Sequence, residues 1–138
     1  MKRFLFILSL LFVTNVCLFA QDDNEDDGND NIRDKMSEYI QKRLDMSKDE
    51  AAKFTPVFIR YFREWRTTLR ENKDDRLLLQ KKIIDLRLKY RTEFREIIGE
   101  RRANQVFGHQ ETFIKDVKAI RRERLRNTPV RPLKRNGG

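Results

Sequence analysis

Between residues 32 and 126 apolar side chains recur every third or fourth position, the spacing of a helix surface and not of a strand. Ile32, Met36, Tyr39, Ile40 and Leu44 share one face of a short first helix. Ser47-Lys48-Asp49-Glu50 has the form of a capping box: the Ser47 hydroxyl accepts from the Glu50 amide while the Glu50 carboxylate accepts from the Ser47 amide. A second helix is therefore predicted from near Lys48. Its apolar stripe is Phe54, Val57, Phe58, Tyr61, Phe62, Trp65 and Leu69, with a heavy aromatic load. Pro56 removes the hydrogen bond to the Ala52 carbonyl, which predicts a bend between these residues but no break, because the stripe resumes in phase.

Asp74 or Asp75 can cap a third helix that Gly99 ends. Leu79, Ile83, Leu86, Tyr90, Phe94 and Ile97 form its first stripe. At about 100° per residue, Leu77, Ile84 and Leu88 fall roughly opposite, and Arg91 and Arg95 prolong that second line. One side is expected to face the core. The other, apolar at one end and cationic at the other, is left for a different partner. A fourth helix is predicted from about Glu100 to Arg126, with Ala103, Val106, Phe107, Ile114, Val117 and Leu125 on one side. Gly108 weakens it by about 1 kcal/mol relative to Ala. Arg121, Arg122, Arg124 and Arg126 suit the negative end of its dipole.

The ends differ from this body. Residues 1–20 place Lys2 and Arg3 before the apolar run Phe4 to Val13 and finish at Leu18-Phe19-Ala20, the order of a secretory signal. The run falls short of the roughly 20 apolar residues that a spanning helix needs, so no stable membrane insertion is expected after its removal. Export to the periplasm or beyond follows. Cys17 is the only cysteine and would leave with the signal; lipidation there is disfavoured because Thr14-Asn15-Val16 lacks small residues. Residues 21–31 hold six carboxylates and nothing apolar, and read as a disordered acidic arm. Residues 127–138, with Pro129, Pro132 and a terminal Gly pair, read as a disordered basic tail.

Composition agrees with the pattern and narrows the chemistry. Of 138 residues 38% are charged while Gly numbers 5 and Pro 3, a balance that favours long solvated helices over β-sandwiches. The net charge of +9 averages an acidic arm with a far more basic body. Catalysis is not expected: there is no phosphate loop, no Ser/His/Asp set in a recognisable context, and one histidine, His109, out of phase with the apolar stripe. A lone histidine also makes a poor transition-metal site, and no cofactor is expected. Arg63, Arg66 and Arg70 on helix two, and Arg87, Arg91 and Arg95 on helix three, read mainly as a solvated surface interleaved with Glu64, Glu71, Glu93 and Glu96. The aromatic stripe of helix two is in phase with burial, so it reads as core and not as a base-stacking platform, and nucleic-acid binding is not expected.

The short first helix, Leu44-Asp45-Met46-Ser47-Lys48-Asp49-Glu50 opening a second, the Phe54-Thr55-Pro56-Val57 step and a third helix ending at Ile97-Ile98-Gly99 together resemble the Spy/CpxP-like periplasmic family. Met46-Ser47-x-x-Glu50 is a conservative version of that family's Leu-Thr-x-x-Gln signature, while Ile98-Gly99-Glu100-Arg101-Arg102 is too degenerate to be a second copy. The resemblance spans about residues 32–126. It implies an elongated, curved helical hairpin that pairs into a dimer, and an ATP-independent chaperone role in envelope stress or the restraint of a sensor kinase. Related helical proteins sense metals, but the histidine pairs are missing here.

The expectation is thus an all-α, four-helix hairpin-like domain over residues 32–126, exported, non-enzymatic and homodimeric. Leu77, Ile84, Leu88, Arg91 and Arg95 are its contact surface for unfolded or partner polypeptide, or alternatively its dimer interface. Docking on a membrane stress sensor and, behind it, a metal response are the other readings.

Overall fold

The computed structural model describes residues 23–128, which form helices, the short turns between them and the cap residue Thr128 after the last helix. In order these are α1 (Asp23–Arg43), α2 (Lys48–Glu71), α3 (Arg76–Ile98) and α4 (Glu100–Asn127). Residues 1–22, with the expected secretory signal at 1–20, and residues 129–138 lie outside the described residues. The chain divides into two compact units at a point within α1, Met1–Ile32 and Arg33–Gly138.

The described part of the first unit is helical. This corrects one expectation, since residues 23–31 read in the sequence as part of a disordered arm. Two effects account for the extension. Carboxylates early in a helix are favoured by the positive end of its dipole, and a helix already nucleated further along extends at little cost.

In the second unit, α2 packs beside α3 and α3 beside α4. Both pairs run antiparallel: Arg60 and Glu64 of α2 meet Glu93 and Tyr90 of α3 respectively, and Arg87 of α3 meets Glu111 of α4. The rest of α1 reaches this layer through side chains. Tyr39 lies 5.5 Å from the Phe113 ring of α4, and Gln41 donates to the Thr55 hydroxyl of α2 at 3.0 Å.

Aromatic residues fill the middle. Phe54, Phe58 and Tyr61 of α2, Tyr90 and Phe94 of α3 and Phe107 of α4 are buried together, with ring centroids 4.9 Å apart for Phe54–Phe94 and 5.4 Å for both Tyr61–Tyr90 and Tyr61–Phe107. Offset and edge-on contacts of this kind add to the burial of large apolar area. Met36, Ile40 and Leu44 close the cluster from α1 and Ala103 and Val106 from α4. Ile32, expected on the same face as Met36, remains exposed. Of the α2 stripe Phe54, Phe58, Tyr61 and Phe62 are buried and Val57, Trp65 and Leu69 partly covered, and the helix runs through Pro56 without a break. Along α4 burial ends early: Ile114 is partly covered, but Val117 and Leu125 are exposed, because beyond that point the other helices offer no buried partner.

Candidate functional site

The two ends of α3 are fixed by local chemistry. Asp75 is its N-cap, its carboxylate accepting from the Leu78 amide at 2.9 Å. Gly99 ends it with its own amide donating to the Arg95 carbonyl at 2.9 Å, at φ 79° and ψ 163°, a conformation that is essentially confined to glycine. With the rod held at both ends, Leu86, Tyr90 and Phe94 of its first stripe are buried, Leu79, Ile83 and Ile97 are partly covered, and Ile98, next to that stripe, is buried in place of Ile97.

The second stripe turns outward. Leu77 is 79% exposed, Ile84 57% and Leu88 47%, and Arg91 and Arg95 are exposed beside them. Three of the five line a shallow groove of about 150 Å³: Ile84, Leu88 and Arg91, together with Arg87 on the same helix and Asn104 and Phe107 of α4. Leu77 and Arg95 lie on the same helix face beyond its two ends. Arg87 differs from its neighbours. It is half-buried, its guanidinium sits 5.5 Å from the Phe107 ring centre, and it donates to Glu111 at 2.9 Å. Arg91 and Arg95 form no ion pair with another described residue. The groove thus has an aromatic and aliphatic lining, one anchored cation and a free cation at its edge.

Elsewhere Arg60 donates to Glu93 at 2.7 Å and Lys89 to Glu64 at 3.1 Å, so two of the interleaved glutamates pair with cations other than Arg63, Arg66 and Arg70. Glu64 also accepts from the Tyr90 hydroxyl at 2.6 Å. That bond, ahead of Lys89, draws the Glu64 carboxyl below the usual range. Burial first, and the same carboxylate second, push the Tyr90 phenol upward.

The capping box of α2 is formed. Ser47 donates its amide to Glu50 at 3.0 Å, and the Glu50 amide donates to the Ser47 hydroxyl at 3.2 Å. Glu50 has a second role that its cap position conceals. Arg102 of α4 grips its carboxylate with both terminal nitrogens, one of them at 2.9 Å, and reaches the Leu44 carbonyl at 3.3 Å. The Met46–Glu50 stretch and the stretch ending at Arg102 are therefore joined, α1–α2 corner to α3–α4 corner. The Arg102 hydrogen bond, with the Ser47 amide behind it, lowers the Glu50 carboxyl.

One polar pair lies inside the core. The Tyr61 hydroxyl donates to Gln110 at 2.6 Å, and Gln110 is fully buried with its amide nitrogen unpartnered among the described residues. Burial leads the upward push on the Tyr61 phenol, with the nearby Arg87 charge opposing it. The signal for Gln110 is in its spacing, since it follows Ala103, Val106 and Phe107 in phase. Its amide conceals that.

His109 is half-buried, and among the described residues no three His, Cys, Asp or Glu side chains gather closely enough to hold a metal ion. No described helix is long and apolar enough to cross a membrane. No family model, curated protein or solved structure matches the chain. The described residues are all-helical, four helices of which α2 packs on α3 and α3 on α4.

Proposed function

We propose that this chain is an exported, non-enzymatic protein that binds unfolded or partner polypeptide on the outer face of α3, with no nucleotide required. The observation that carries the reading is the exposure of Leu77, Ile84 and Leu88 on a helix whose opposite stripe is already buried. A core partner is not what these residues lack. Apolar contact and charge attraction are both tolerant of sequence, so a face with leucine and isoleucine at one end and Arg91 and Arg95 at the other suits loosely structured segments that mix apolar and acidic residues. Weak, diffuse contacts release without an energy source. The resemblance to the Spy/CpxP-like family, carried by the Met46–Glu50 cap, supports the same reading and a place in envelope stress.

The test is aggregation of a client protein that unfolds when its disulfides are reduced. Stoichiometric amounts of the chain are expected to suppress light scattering, and Leu88→Asp is expected to lose most of that protection while keeping its helicity. Unchanged scattering with the native chain overturns the proposal. A dimer in sedimentation that Leu88→Asp dissolves, with no client protection, would reassign the face to self-association.

A further inference from the structure

We infer that the last turns of α4, residues 112–127, are a docking surface for an anionic lipid headgroup layer, separate from the outer face of α3. Six cations stand here, Lys115, Lys118, Arg121, Arg122, Arg124 and Arg126, against two acids, Asp116 and Glu123. All eight are exposed, and none of the six cations forms an ion pair with a described residue. Three aliphatic residues are exposed among them: Val117, Ile120 at 52% and Leu125 at 70%.

Their placement around the helix carries the inference. Asp116 and Glu123 are seven residues apart, so at about 100° per residue they fall within about 20° of one another on a single narrow strip. On the same rule the six cations and three aliphatic residues occupy the remaining arc, about 240° wide and free of acids. Diametrically opposite the acidic strip stand Arg121, Leu125 and Lys118, with Val117 and Arg122 to either side. A helix lying on a negative plane by that side points both carboxylates away from it and sets aliphatic groups between basic ones at the contact, as interfacial amphipathic helices do.

Two simpler accounts fall short. Attraction to the negative helix end decays within the last turn, and because α4 runs on to Asn127 that turn holds Arg124 and Arg126. Arg121 and Arg122, which the sequence pattern also places there, fall outside it and, with Lys115 and Lys118, are left unexplained. A second copy meeting this face with its own α4 would bring the same cations against themselves. The face is the exposed, convex side of a single helix, which suits a planar, deformable layer of negative charge better than a shaped acidic protein.

The purified chain is sedimented with phosphatidylglycerol vesicles and, separately, with phosphatidylcholine vesicles. Both vesicles meet the same apolar residues of the chain, so the difference between them reads charge. Binding to phosphatidylglycerol is expected to be tighter by about tenfold or more and to weaken as salt rises from about 0.05 to 0.5 M. Lys118→Gln with Arg121→Gln and Arg122→Gln, which keep good helix formers on an exposed surface, is expected to remove most of that preference. Leu125→Ser is expected to lower binding to both vesicles, and Glu123→Gln to leave it unchanged or slightly stronger. Equal affinity for the two vesicles overturns the inference, as does an undiminished preference in the triple variant. Binding to soluble polyglutamate without binding to phosphatidylglycerol also overturns it, in favour of an acidic polypeptide.

Discussion

The inner and outer faces of α3 carry similar side chains and have opposite fates. Leu86, Tyr90, Phe94 and Ile98 are buried, while Leu77, Ile84 and Leu88 are open to solvent on the same helix. What separates them is partner supply, not hydrophobicity. α2 brings an aromatic stripe to one side of the rod and α4 brings Ala103, Val106 and Phe107 alongside it, and among the described residues no further element covers the remaining side. α4 repeats the contrast along its length, since its first turns are packed and its last turns bare. Apolar residues in excess of what a core can absorb are the part of the molecule free to meet something else.

The widest separation between the faces is expected from two alanine substitutions. Phe94→Ala removes a fully buried ring that touches Phe54, Tyr61 and Phe107, and should cost about 3–5 kcal/mol. Leu88→Ala on the outer face should change stability by no more than about 0.5 kcal/mol. Urea unfolding followed by circular dichroism measures both. Similar losses at the two positions would mean that the outer stripe is also packed, and the contrast would fail.

A smaller effect sharpens what the inner face tolerates. Tyr61→Phe keeps the ring but strands the Gln110 carbonyl in the core beside an amide nitrogen that has no described partner, a cost of about 1–3 kcal/mol. Adding Gln110→Leu leaves nothing polar unsatisfied at the pair, so the double variant should recover most of the loss. If the losses simply add, the two residues are not coupled and the hydrogen bond is not what holds them.

Much of this is legible in the residues alone, because helix periodicity and caps are local. Ser47 and Glu50 stand three residues apart, and the stripe from Phe54 to Leu69 repeats at a spacing only a helix satisfies, so the start of α2 and its buried side can both be placed. The outward line of Leu77, Ile84 and Leu88 follows from the same arithmetic. What stays hidden depends on contacts distant in sequence. Arg102 of α4 meets Glu50 of α2 with the whole of α3 between them in sequence, and nothing near either residue announces the pair. Arg87 looks like Arg91 and Arg95 in the sequence, yet Phe107 and Glu111 draw it inward. Asn104 and Phe107 join the groove only because α4 folds back along α3. Residues 23–31 mislead in the other direction: a stretch without apolar residues reads as disorder, whereas it prolongs a helix held in place further along.

The smallest effect tests whether the outer side of α4 is as empty as that of α3. Gly108 sits mid-helix, exposed, and a Cβ built there meets nothing within 4 Å. Its carbonyl accepts from the Thr112 hydroxyl at 3.1 Å, a bond that a methyl group at residue 108 leaves intact. Alanine loses less backbone freedom on folding than glycine, so Gly108→Ala should stabilise the protein by about 0.5–1 kcal/mol, read as a higher urea midpoint at unchanged slope. The sign is what matters. A loss would require something pressed against that surface, such as a second copy of the chain, and the midpoint would then depend on protein concentration; a gain independent of concentration is what an unoccupied outer side demands.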